Sequence, residues 1–552
     1  MSIDSPLHSG LLWLDTLFKS GKEHGLSTVG LASFGVVATL VGSMVLDYNR
    51  KIQKVGGLPG LRYPLFPFSL PGVIFPNSHW IPGFYFVFNW RKTLYKRFGL
   101  DTISFVSWLY GGSMILTSNV EVMRQIAGGT KSDFIKPLSA SGSILGWGNN
   151  LLASVGGEDW RNHRRVMAPA FSQNLYQAVW KKTLVLYREM LASETWEGKK
   201  VLEMQKVQEI TYKTALLVLC NCGFGLGLNW EEAPSTSNGM SLLTAFEIVD
   251  HRNMLGNLPG WVVKLPFKYF KEYLHASNIL TEWMTAQIVD RREVVNSRSE
   301  LDEKRLEEDC FTLMVKANEE QGRKYRLSDQ ELVGNVFILL LAGHETTAQT
   351  LAATLAYLSL QPDLQDEIVE QIVSIIGWDR DPEFDQYRDF SKVLAAFYEG
   401  IRLYPAGYLM LREAAVDTVL EIQKPIGEEG TTSIPLPKGT MVVVDMIGVQ
   451  RNERYFDEPE KYKPWRWLDM PHESEVASSF SVGPRACIGR KFATTEAVAM
   501  LTMLLRDWKV EPLLKSGETL EQWKDKVFEN PKIFISFGVN DAPLRFVRRQ
   551  RP

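Results

Sequence analysis

The most restrictive feature of this 552-residue sequence is a short loop near the C-terminus that sets one cysteine between two glycines. The loop reads Phe480-Ser-Val-Gly483-Pro-Arg485-Ala-Cys487-Ile-Gly489, and a helix-like run follows it. An iron-binding thiolate needs an exposed sulfur, backbone N–H groups turned toward it, and small residues where a porphyrin meets the backbone. Gly483 and Gly489 supply that room. The loop therefore predicts that Cys487 is the iron ligand of a bound heme.

Length, charge and cysteine usage narrow the class of protein. A hydrophobic content of 45% can fill the core of one very large domain or of two or three ordinary ones. The net charge of −3 gives no reason to expect nucleic acid as a partner. The chain has four irregularly spaced cysteines and no N-glycosylation sequon, so no disulfide framework is expected. Both observations favour a reducing location that faces the cytosol.

The N-terminal region carries a long uncharged stretch. Twenty uncharged residues begin at Ser27, and as a helix they span about 30 Å, the thickness of a bilayer's hydrocarbon core. This predicts a single transmembrane helix over residues 27–47. The basic residues Arg50, Lys51 and Lys54 follow it, which predicts that the larger C-terminal portion lies in the cytosol. A cleaved secretory signal is the alternative, and the late start of the apolar stretch disfavours it.

The segments on either side of this stretch have different compositions. Residues 11–18 are apolar enough for a short helix at a membrane interface, and a disordered tail is the alternative for residues 1–26. Residues 48–76 contain five prolines, at positions 59, 64, 67, 71 and 76. That density predicts a stiff, extended connector rather than a helix or a central strand. Residues 77–552 are predicted to form the catalytic domain.

Hydrophobic periodicity in the main domain is mostly helical. Apolar residues recur three and four apart over 172–194, 203–222, 267–297, 329–359 and 391–403. Two short runs have strand character, Met441–Asp445 and Ile533–Phe537. The charged run over 297–307 is interpreted as a solvated face or loop. The sequence therefore predicts a mainly α domain with small β-sheets.

A polar cluster, Ala342-Gly343-His344-Glu345-Thr346-Thr347, interrupts the apolar helix predicted over 329–359. Gly343 weakens the helix by roughly 1 kcal/mol relative to alanine, and a buried Glu345 is unfavourable unless it is hydrogen-bonded or functional. A helix opened here would admit oxygen and water. Thr346 is then predicted to donate a hydrogen bond to bound dioxygen, with Glu345 as a proton relay. In the alternative, the threonines bond back to preceding carbonyls, and Glu345 and His344 face water.

The cysteine loop and this cluster together resemble the signature motifs of the cytochrome P450 family. The loop matches F-x-x-G-x-R-x-C-x-G, and the cluster is similar to A-G-x-E/D-T-T. The resemblance runs from roughly residue 56 to the C-terminus and is closest in character to fungal, microsomal, membrane-anchored members. It implies the P450 fold, a single large domain preceded by one transmembrane helix, and heme b as cofactor.

The resemblance also singles out an ionic network. Glu399-Gly-Ile-Arg402 is one of four matches to E-x-x-R, and its position before Pro464-Trp465-Arg466-Trp467 selects it. By resemblance, Glu399, Arg402 and Arg466 form a buried ionic triad with a structural role. Trp465 and Trp467 stand where many members have glutamate and phenylalanine.

Further matches imply which residues hold the heme. Trp160 and Arg164 fit the family's W-x-x-x-R helix, and they, Arg412 and Arg485 are expected to meet the propionates. An ordinary surface charge is the alternative for Arg412. Phe480 is expected to pack on the cysteine side of the heme, with plain core packing as its alternative.

The substrate pocket is predicted to be apolar. Its expected lining residues are Phe337, Leu341 and Ala342 of the interrupted helix and Leu409 of a later loop. An apolar pocket and a bilayer anchor suit a hydrophobic small molecule such as a terpenoid, a sterol or a fatty acid. By analogy with the fungal members, the sequence favours a terpenoid of secondary metabolism.

The resemblance implies a monooxygenase that inserts one atom of O2 into a C–H bond. The chain has no G-x-G-x-x-G strand-helix unit, so a separate NADPH-cytochrome P450 reductase is expected to deliver the electrons through its flavins. The implied location is the endoplasmic reticulum membrane, with a single span and a cytosolic catalytic domain. A sterol or fatty acid hydroxylase, a heme-thiolate isomerase or dehydratase that needs no O2, and a non-catalytic heme carrier or sensor are the alternatives. Glu345 and Thr346 disfavour the last two.

Overall fold

The computed structural model describes residues 28–75, 77–78, 80–127, 133–137, 142–231, 240–297, 309–322, 324–470, 479–533 and 536–551. The chain divides into two compact units. Unit 1 comprises Met1–Leu116 and Val416–Val442, and unit 2 comprises Thr117–Ala415 and Val443–Pro552. The domain boundaries predicted at residues 26, 47 and 76 remain predictions.

Helices form most of the described structure. In chain order they are Thr28–Lys54, Leu70–Ile74, Phe86–Asn89, Val120–Ala127, Gly142–Leu145, Gly157–Met167, Gln173–Ser193, Gln208–Val218, Leu242–His251, Gly260–Val263, Lys268–Ser297, Cys310–Glu319, Asp329–Gly343, Glu345–Ser359, Pro362–Ile376, Ser391–Leu403, Met446–Val449, Arg466–Asp469, Arg490–Asp507 and Leu520–Lys524. Several starts follow directly from capping residues. Ser328, for example, accepts a hydrogen bond from Glu331 N and donates its own N–H to the Glu331 carboxylate, a complete capping box.

The strands are short and few. They are Gly60–Leu65, Thr102–Tyr110, Ser113–Thr117, Phe134–Ile135, Val201–Met204, Leu409–Ala414, Thr418–Gln423, Thr431–Leu436, Met441–Asp445, Trp508–Pro512, Lys532–Ile533, Phe537–Gly538 and Leu544–Arg548. In unit 2, Leu544–Arg548 pairs antiparallel with both Trp508–Pro512 and Val201–Met204. The mainly α fold class with small sheets is confirmed.

The N-terminal apolar stretch is helical but extends into charged sequence. Its helix, Thr28–Lys54, runs on through Asp47, Arg50 and Lys51. Within the ranges given above, no helix has both the length and the apolar character that a membrane crossing requires. The predicted transmembrane helix over 27–47 is therefore not supported. The expectations for residues 1–26 lie outside the described residues.

The proline-rich connector predicted over 48–76 is wrong in its local structure. Gly60–Leu65 is a strand that pairs in parallel with Thr102–Tyr110, and the register shifts at Pro64, where the missing N–H would break the ladder. Pro71 lies in the first turn of the helix Leu70–Ile74, where its missing N–H needs no partner. The number of prolines did not predict the local structure, because Pro64 and Pro71 both occupy positions where proline is tolerated.

Two other predicted elements differ from the structure. The helix expected over 203–222 begins only at Gln208, because Val201–Met204 is a strand, and it continues as a π-helical turn over Leu219–Gly223. The expected strand Ile533–Phe537 is instead two strands that pair with each other, Lys532–Ile533 and Phe537–Gly538. Its strand-like composition was correct, but composition does not mark where a chain reverses. The charged run beyond Ser297 lies outside the described residues.

Three helices of unit 2 pack against one another: Glu345–Ser359, Ser391–Leu403 and Arg490–Asp507. The helix Glu345–Ser359 packs against Gln208–Val218 and Ser391–Leu403. The helix Arg490–Asp507, which follows the cysteine loop, packs against Gln173–Ser193 and Ser391–Leu403. Ser391–Leu403 therefore contacts both the interrupted helix and the helix that begins at the cysteine.

A buried ionic network fixes the end of Ser391–Leu403. The Glu399 carboxylate accepts hydrogen bonds from Arg402 at 2.8 and 2.9 Å and from Arg466 Nε at 3.2 Å. Trp467 Nε1 and the Lys463 N–H also donate to it, at 2.8 and 2.7 Å. Both side chains of the central pair are 0% exposed. The tryptophan that departs from the usual family pattern thus supplies one donor of the network.

Arg402 extends the network to the segment of residues 450–461, which precedes the cysteine loop. Its guanidinium donates to the carbonyl oxygens of Gln450, Pro459 and Lys461 at 2.6, 2.7 and 2.9 Å. A buried guanidinium is tolerated only when its N–H groups have acceptors, and these carbonyls supply them. The network therefore ties one helix to a long irregular segment that precedes the cysteine loop.

Removing the central carboxylate should destabilise the fold. Glu399→Gln leaves the buried Arg402 and the partly buried Arg466 without a counter-charge and should lower the free energy of unfolding by about 3–5 kcal/mol, measured by urea titration. Glu370→Gln is the control, because Glu370 is exposed on the helix Pro362–Ile376. An equal effect of the two substitutions would contradict the structural role of the network.

Candidate active site

One cavity in unit 2 gathers most of the predicted site. Its volume is about 470 Å³, within the range of about 300–1,000 Å³ typical of small-molecule sites. The predicted residues on its wall are Cys487, Arg485, Phe480, Thr346, Ala342, Leu409 and Arg412. The interrupted helix, the cysteine loop and the strand Leu409–Ala414 supply them.

The cysteine loop is held by its own backbone. Cys487 N donates to Phe480 O at 2.9 Å, and Ala486 N donates to Gly483 O at 3.0 Å. Gly483 has φ +71°, a left-handed conformation that favours glycine. A Cβ on Gly489 would lie 3.9 Å from Cys487 Sγ, so the glycine keeps the space beside the sulfur open. The loop places the sulfur just before the helix Arg490–Asp507.

The Cys487 sulfur is accessible from the cavity but surrounded by protein. The residue is exposed and lines the cavity, while neighbouring protein groups crowd around the sulfur and partly desolvate it. This burial raises the pKa of the Cys487 thiol. The N–H groups of Gly489 and Arg490 and the charges of Arg164 and Arg490 act in the opposite direction and favour the thiolate. A bound metal ion would favour the thiolate further.

The interrupted helix is two helices. Asp329–Gly343 ends at the predicted glycine, and Glu345–Ser359 begins after His344. A Cβ on Gly343 would lie 2.9 Å from Leu219 Cδ2, so the side chain of the π-helical turn occupies the space beside the break. The break therefore depends on a tertiary contact as well as on the glycine.

Thr346 satisfies a carbonyl at this break. Its hydroxyl donates to Ala342 O at 2.8 Å, and Thr350 makes the same contact to Thr346 O. The predicted donation from Thr346 to dioxygen is therefore not the arrangement of this state, because a hydroxyl has one proton. The lone pairs of the oxygen remain available, so Thr346 can accept a hydrogen bond in the cavity.

Glu345 and His344 are buried, at 1% and 4% exposure, and neither lines the cavity. The alternative in which both face water is therefore wrong. Glu345 Oε1 accepts a hydrogen bond from Ser536 N at 3.3 Å. His344 Nδ1 lies 3.1 Å from Leu340 O. Glu345 directly precedes Thr346 in the sequence, but its side chain is not part of the cavity wall.

Three cations converge on the cavity without a lining carboxylate. Lys136, Arg412 and Arg485 line it, and its described wall contains no aspartate or glutamate. Burial, and then the charges of Arg412 and Arg485, hold the pKa of Lys136 well below its usual range. Burial, and then Arg485, lower the pKa of Arg412 to about 10. The three groups repel one another, so the arrangement favours an anionic ligand.

The hydrogen bonds of these cations are to neutral groups. Lys136 Nζ donates to Leu152 O, and Arg485 donates to Ser154 O at 2.8 Å and Val155 O at 3.2 Å. Carbonyls fix the positions of the side chains, and Asp159, a carboxylate that does not line the cavity, acts on the charge of Arg485. Two carboxylates of a heme would supply the missing negative charge, and Cys487 on the same cavity would supply the axial ligand. The residues present therefore fit heme.

Trp160 and Arg164 separate although they share a helix. Trp160 lies under the Arg485 guanidinium, 5.4 Å from ring centroid to Cζ, in a small cleft that it shares with Arg412 and Arg485. Arg164 instead donates to Ala486 O at 3.3 Å, beside the cysteine loop. The two side chains thus have different partners, and their expected contact with a propionate stays a prediction.

Two residues predicted to line the pocket do not. Phe337 is 0% exposed and stacks on Trp147 at a centroid distance of 4.2 Å, and Leu341 is 1% exposed. Helical periodicity placed both on an apolar face but did not show which apolar face meets the core. The cavity wall instead includes Ile144, Leu152 and Met410.

Lys136 is the functional candidate that the sequence prediction missed. It lies just after the two-residue strand Phe134–Ile135, which pairs with the strand bearing Arg412. A lone lysine in an irregular segment has no motif. The only available signal was Pro137, which restricts the residue before it to an extended conformation.

Asp159, His163 and Glu331 form a cluster that has the composition of a metal site, but the histidine carries its proton on the nitrogen that a metal would need. Ligand atoms of Asp159, His163 and Glu331 lie within 4.8 Å of one another. Asn335 fixes the histidine tautomer, because its Oδ1 accepts from Leu151 N and its Nδ2 donates to both Glu331 O and His163 Nδ1. The ring proton is then on Nε2, facing the two carboxylates at 3.7 and 3.9 Å. A nitrogen that carries a proton cannot bind a cation.

Comparison with known proteins identifies relatives along most of the chain. The family model that matches is "Cytochrome P450", over residues 86–537. Cytochrome P450 monooxygenase 124 of Postia placenta is 31% identical over 91% of this chain and 96% of its own. Cytochrome P450 monooxygenase ORF6 of Penicillium roqueforti is 26% identical over 76% of each chain. Human cytochrome P450 4F11 is 26% identical over 72% of this chain and 76% of its own.

Lys136 offers a direct test of the cationic pocket. Lys136→Met removes one of three charges and should weaken heme retention about tenfold to hundredfold, the value of one charge-assisted hydrogen bond. Heme transfer to excess apomyoglobin, followed by absorbance, measures this loss. Lys136→Arg should retain heme, and Lys264→Met is the matched control because Lys264 is exposed. Wild-type retention by Lys136→Met would exclude a role for Lys136.

Proposed function

The chain belongs to the cytochrome P450 family, and we propose that it inserts one atom of O2 into a C–H bond of a hydrophobic small molecule. Members of this family use heme b and take electrons from a separate reductase. The observation that carries the proposal is the convergence, on one cavity, of the Cys487 sulfur, the Thr346 hydroxyl and three cations, with no carboxylate on the described wall.

Heme supplies the oxygen chemistry when it is bound, and the thiolate favours cleavage of the O–O bond. The chain's own residues hold and orient it. Cys487 presents sulfur from a loop fixed by the Phe480 carbonyl. Lys136, Arg412 and Arg485 compensate the propionates. The Cys487 side and the cationic edge together define one orientation of the ring.

Thr346 and Glu345 are proposed to manage protons. Thr346 can accept a hydrogen bond at the cavity wall while its hydroxyl donates its own proton in a hydrogen bond to Ala342 O. Glu345 follows the break directly and is buried against Ser536 N. Proton delivery by positioned groups contributes about 10²-fold or more to such reactions.

The substrate is proposed to be a hydrophobic compound, with a terpenoid of secondary metabolism as the first candidate. Around Thr346 the wall is formed by apolar side chains of Ala342, Ile144, Leu152 and Met410. Such a wall offers few groups that would orient a polar substrate. Sterols and fatty acids remain the alternative substrates within the same reaction.

The electron donor is proposed to dock on the basic surface near the cysteine loop. Arg161, Arg165, Lys181 and Lys182 lie on the helices Gly157–Met167 and Gln173–Ser193. Arg165 already makes a cation–π contact within the chain, since its Cζ lies 4.2 Å from the Tyr325 ring centroid. Charge reversal at Lys181 and Lys182 should slow reduction at low ionic strength and leave it unchanged at high ionic strength, measured by stopped-flow absorbance.

Association with the endoplasmic reticulum membrane, with the catalytic unit facing the cytosol, is part of the proposal. The N-terminal helix presents apolar side chains that are each more than half exposed: Phe34, Val36, Val37, Leu40, Val41, Val45 and Leu46. Apolar surface of this extent suits contact with lipid. Deletion of residues 1–54 should release the protein from sedimented microsomes, and retention would exclude this helix as the contact.

Reconstitution with a reductase tests the function. The purified protein, NADPH-cytochrome P450 reductase and a panel of terpenoids, sterols and fatty acids should yield a product that is one oxygen atom heavier, detected by mass spectrometry. Thr346→Ala should raise the peroxide released per NADPH consumed. Conversion without O2 or reductase would instead identify an isomerase or dehydratase.

The ligand assignment has its own test. Cys487→Ala should abolish the red-shifted Soret band of the reduced carbon monoxide complex, because no thiolate remains to bind the iron. Cys220→Ala is the matched control, since Cys220 is buried in the π-helical turn away from the cavity. Retention of the band by Cys487→Ala would overturn the assignment.

A further inference from the structure

A group of titratable side chains lies buried behind the break in the interrupted helix. Asp250 is the penultimate residue of the helix Leu242–His251 and is 7% exposed. His344 and Glu345 form the break itself, and Tyr212 approaches from the helix Gln208–Val218. None of the four lines the cavity. The roles described so far use only Glu345.

His344 is neutral, and its free nitrogen faces Asp250. A carbonyl oxygen only accepts, so the 3.1 Å contact with Leu340 O places the ring proton on Nδ1. Burial lowers the pKa of His344 to about 4. The lone pair on Nε2 then points toward Asp250 Oδ2, 4.0 Å away. Phe246 packs edge-on to the ring at 4.9 Å and holds its orientation.

Asp250 and Glu345 act on each other as like charges. Burial first, then the charge of Glu345, then that of Glu247, raise the pKa of Asp250 to about 8. Two neighbouring buried carboxyl groups cannot both be ionised at low energy, so they share a proton. At neutral pH that proton is on Asp250, next to the lone pair of His344.

The surroundings provide unused hydrogen-bonding capacity. Asp250 Oδ1, Gln349 Oε1 and Ser536 Oγ are buried and have no hydrogen-bond partner among the described residues. Gln349 Nε2 donates to Tyr212 OH at 2.7 Å, and Ser536 N donates to Glu345 Oε1. Atoms of this kind are usually satisfied by ordered water, which also bridges gaps such as the 4.0 Å one.

We propose that Asp250 is the outer proton donor of a path that reaches Thr346 through Glu345, with His344 as a positioning residue. This inference rests on the proposed monooxygenase function. In the step, the O–H bond of Asp250 breaks, an O–H bond forms on the Glu345 carboxylate, and the negative charge moves to Asp250. Asp250 then regains a proton from solvent at its exposed edge.

The other charged groups nearby do not replace Asp250. On the same helix, Glu247 and His251 are exposed, and Arg252 just beyond it pairs with Glu272 at 2.8 Å. Tyr212 is held neutral, because burial and then the charges of Glu345 and Asp250 raise its pKa above its usual range. Asp250 is thus a buried acid on which the charge of Glu345 acts, and it is the more exposed of the two, at 7% against 1%.

Infrared spectroscopy of the heme-loaded protein tests the protonation directly. With aspartate carboxyl groups labelled with ¹³C, a protonated aspartate band should be present at pH 6.5 and disappear as the pH rises through about 8. Asp250→Asn should abolish it, and Asp290→Asn, the same change on an exposed residue, should not. The label excludes Glu496, a buried acid with its pKa raised to about 8. Absence of the labelled band at pH 6.5 would overturn the proposal.

Kinetics test whether this proton is delivered. With reductase and no added substrate, Asp250→Asn should change the solvent isotope effect on NADPH consumption at least about twofold, because proton delivery becomes limiting. Asp290→Asn should match the wild type. His344→Gln should shift the pH at which the labelled band disappears, which a purely structural role would not do. An isotope effect and a band that both match the wild type in these variants would overturn the path.

The failure of the proposed function has a different signature. In that case the wild-type protein would consume no NADPH beyond the rate of the reductase alone. The infrared result does not depend on turnover and still decides whether Asp250 holds the proton.

Discussion

The hydrogen-bonded charge network at Glu399 is the constraint on which the site depends. Its fully buried carboxylate accepts from Arg402, Arg466 and Trp467. Through Arg402, one helix is bonded to a long irregular segment that leads to the cysteine loop. An irregular segment has no ladder of its own, so these charge-assisted bonds set where the loop begins. The same helix packs against both walls that carry Cys487 and Thr346.

The residues at the break after Gly343 face two different regions of the structure. On one face, Thr346 lines the cavity and satisfies a carbonyl with its hydroxyl. On the other face, His344 and Glu345 are buried beside Asp250. Consecutive residues of a helix project about 100° apart, which lets Glu345 and Thr346 face different sides. The geometry thus links the cavity to a buried acid on the other side of the break.

Sequence patterns predicted the motif residues better than the pocket. Cys487, Thr346 and Arg485 lie on one cavity as expected, because a spaced motif encodes a local conformation. Phe337 and Leu341 were misplaced, because apolar periodicity does not distinguish a wall from a core. Lys136 belongs to no motif. The segment around Pro64 forms a strand despite its proline, because the pairing register shifts at that residue. Each miss involves a partner distant in sequence.

The sequence by itself determined the family, the mainly helical class and the residue types of the heme site, since these follow from local spacing and composition. Only the tertiary structure decided which cations converge on the cavity and which acid lies behind Glu345. Lys136, Arg412 and Arg485 meet only after the chain folds, and so do Asp250 and His344. Their protonation depends on burial and on neighbouring charge, and both quantities exist only in the folded arrangement.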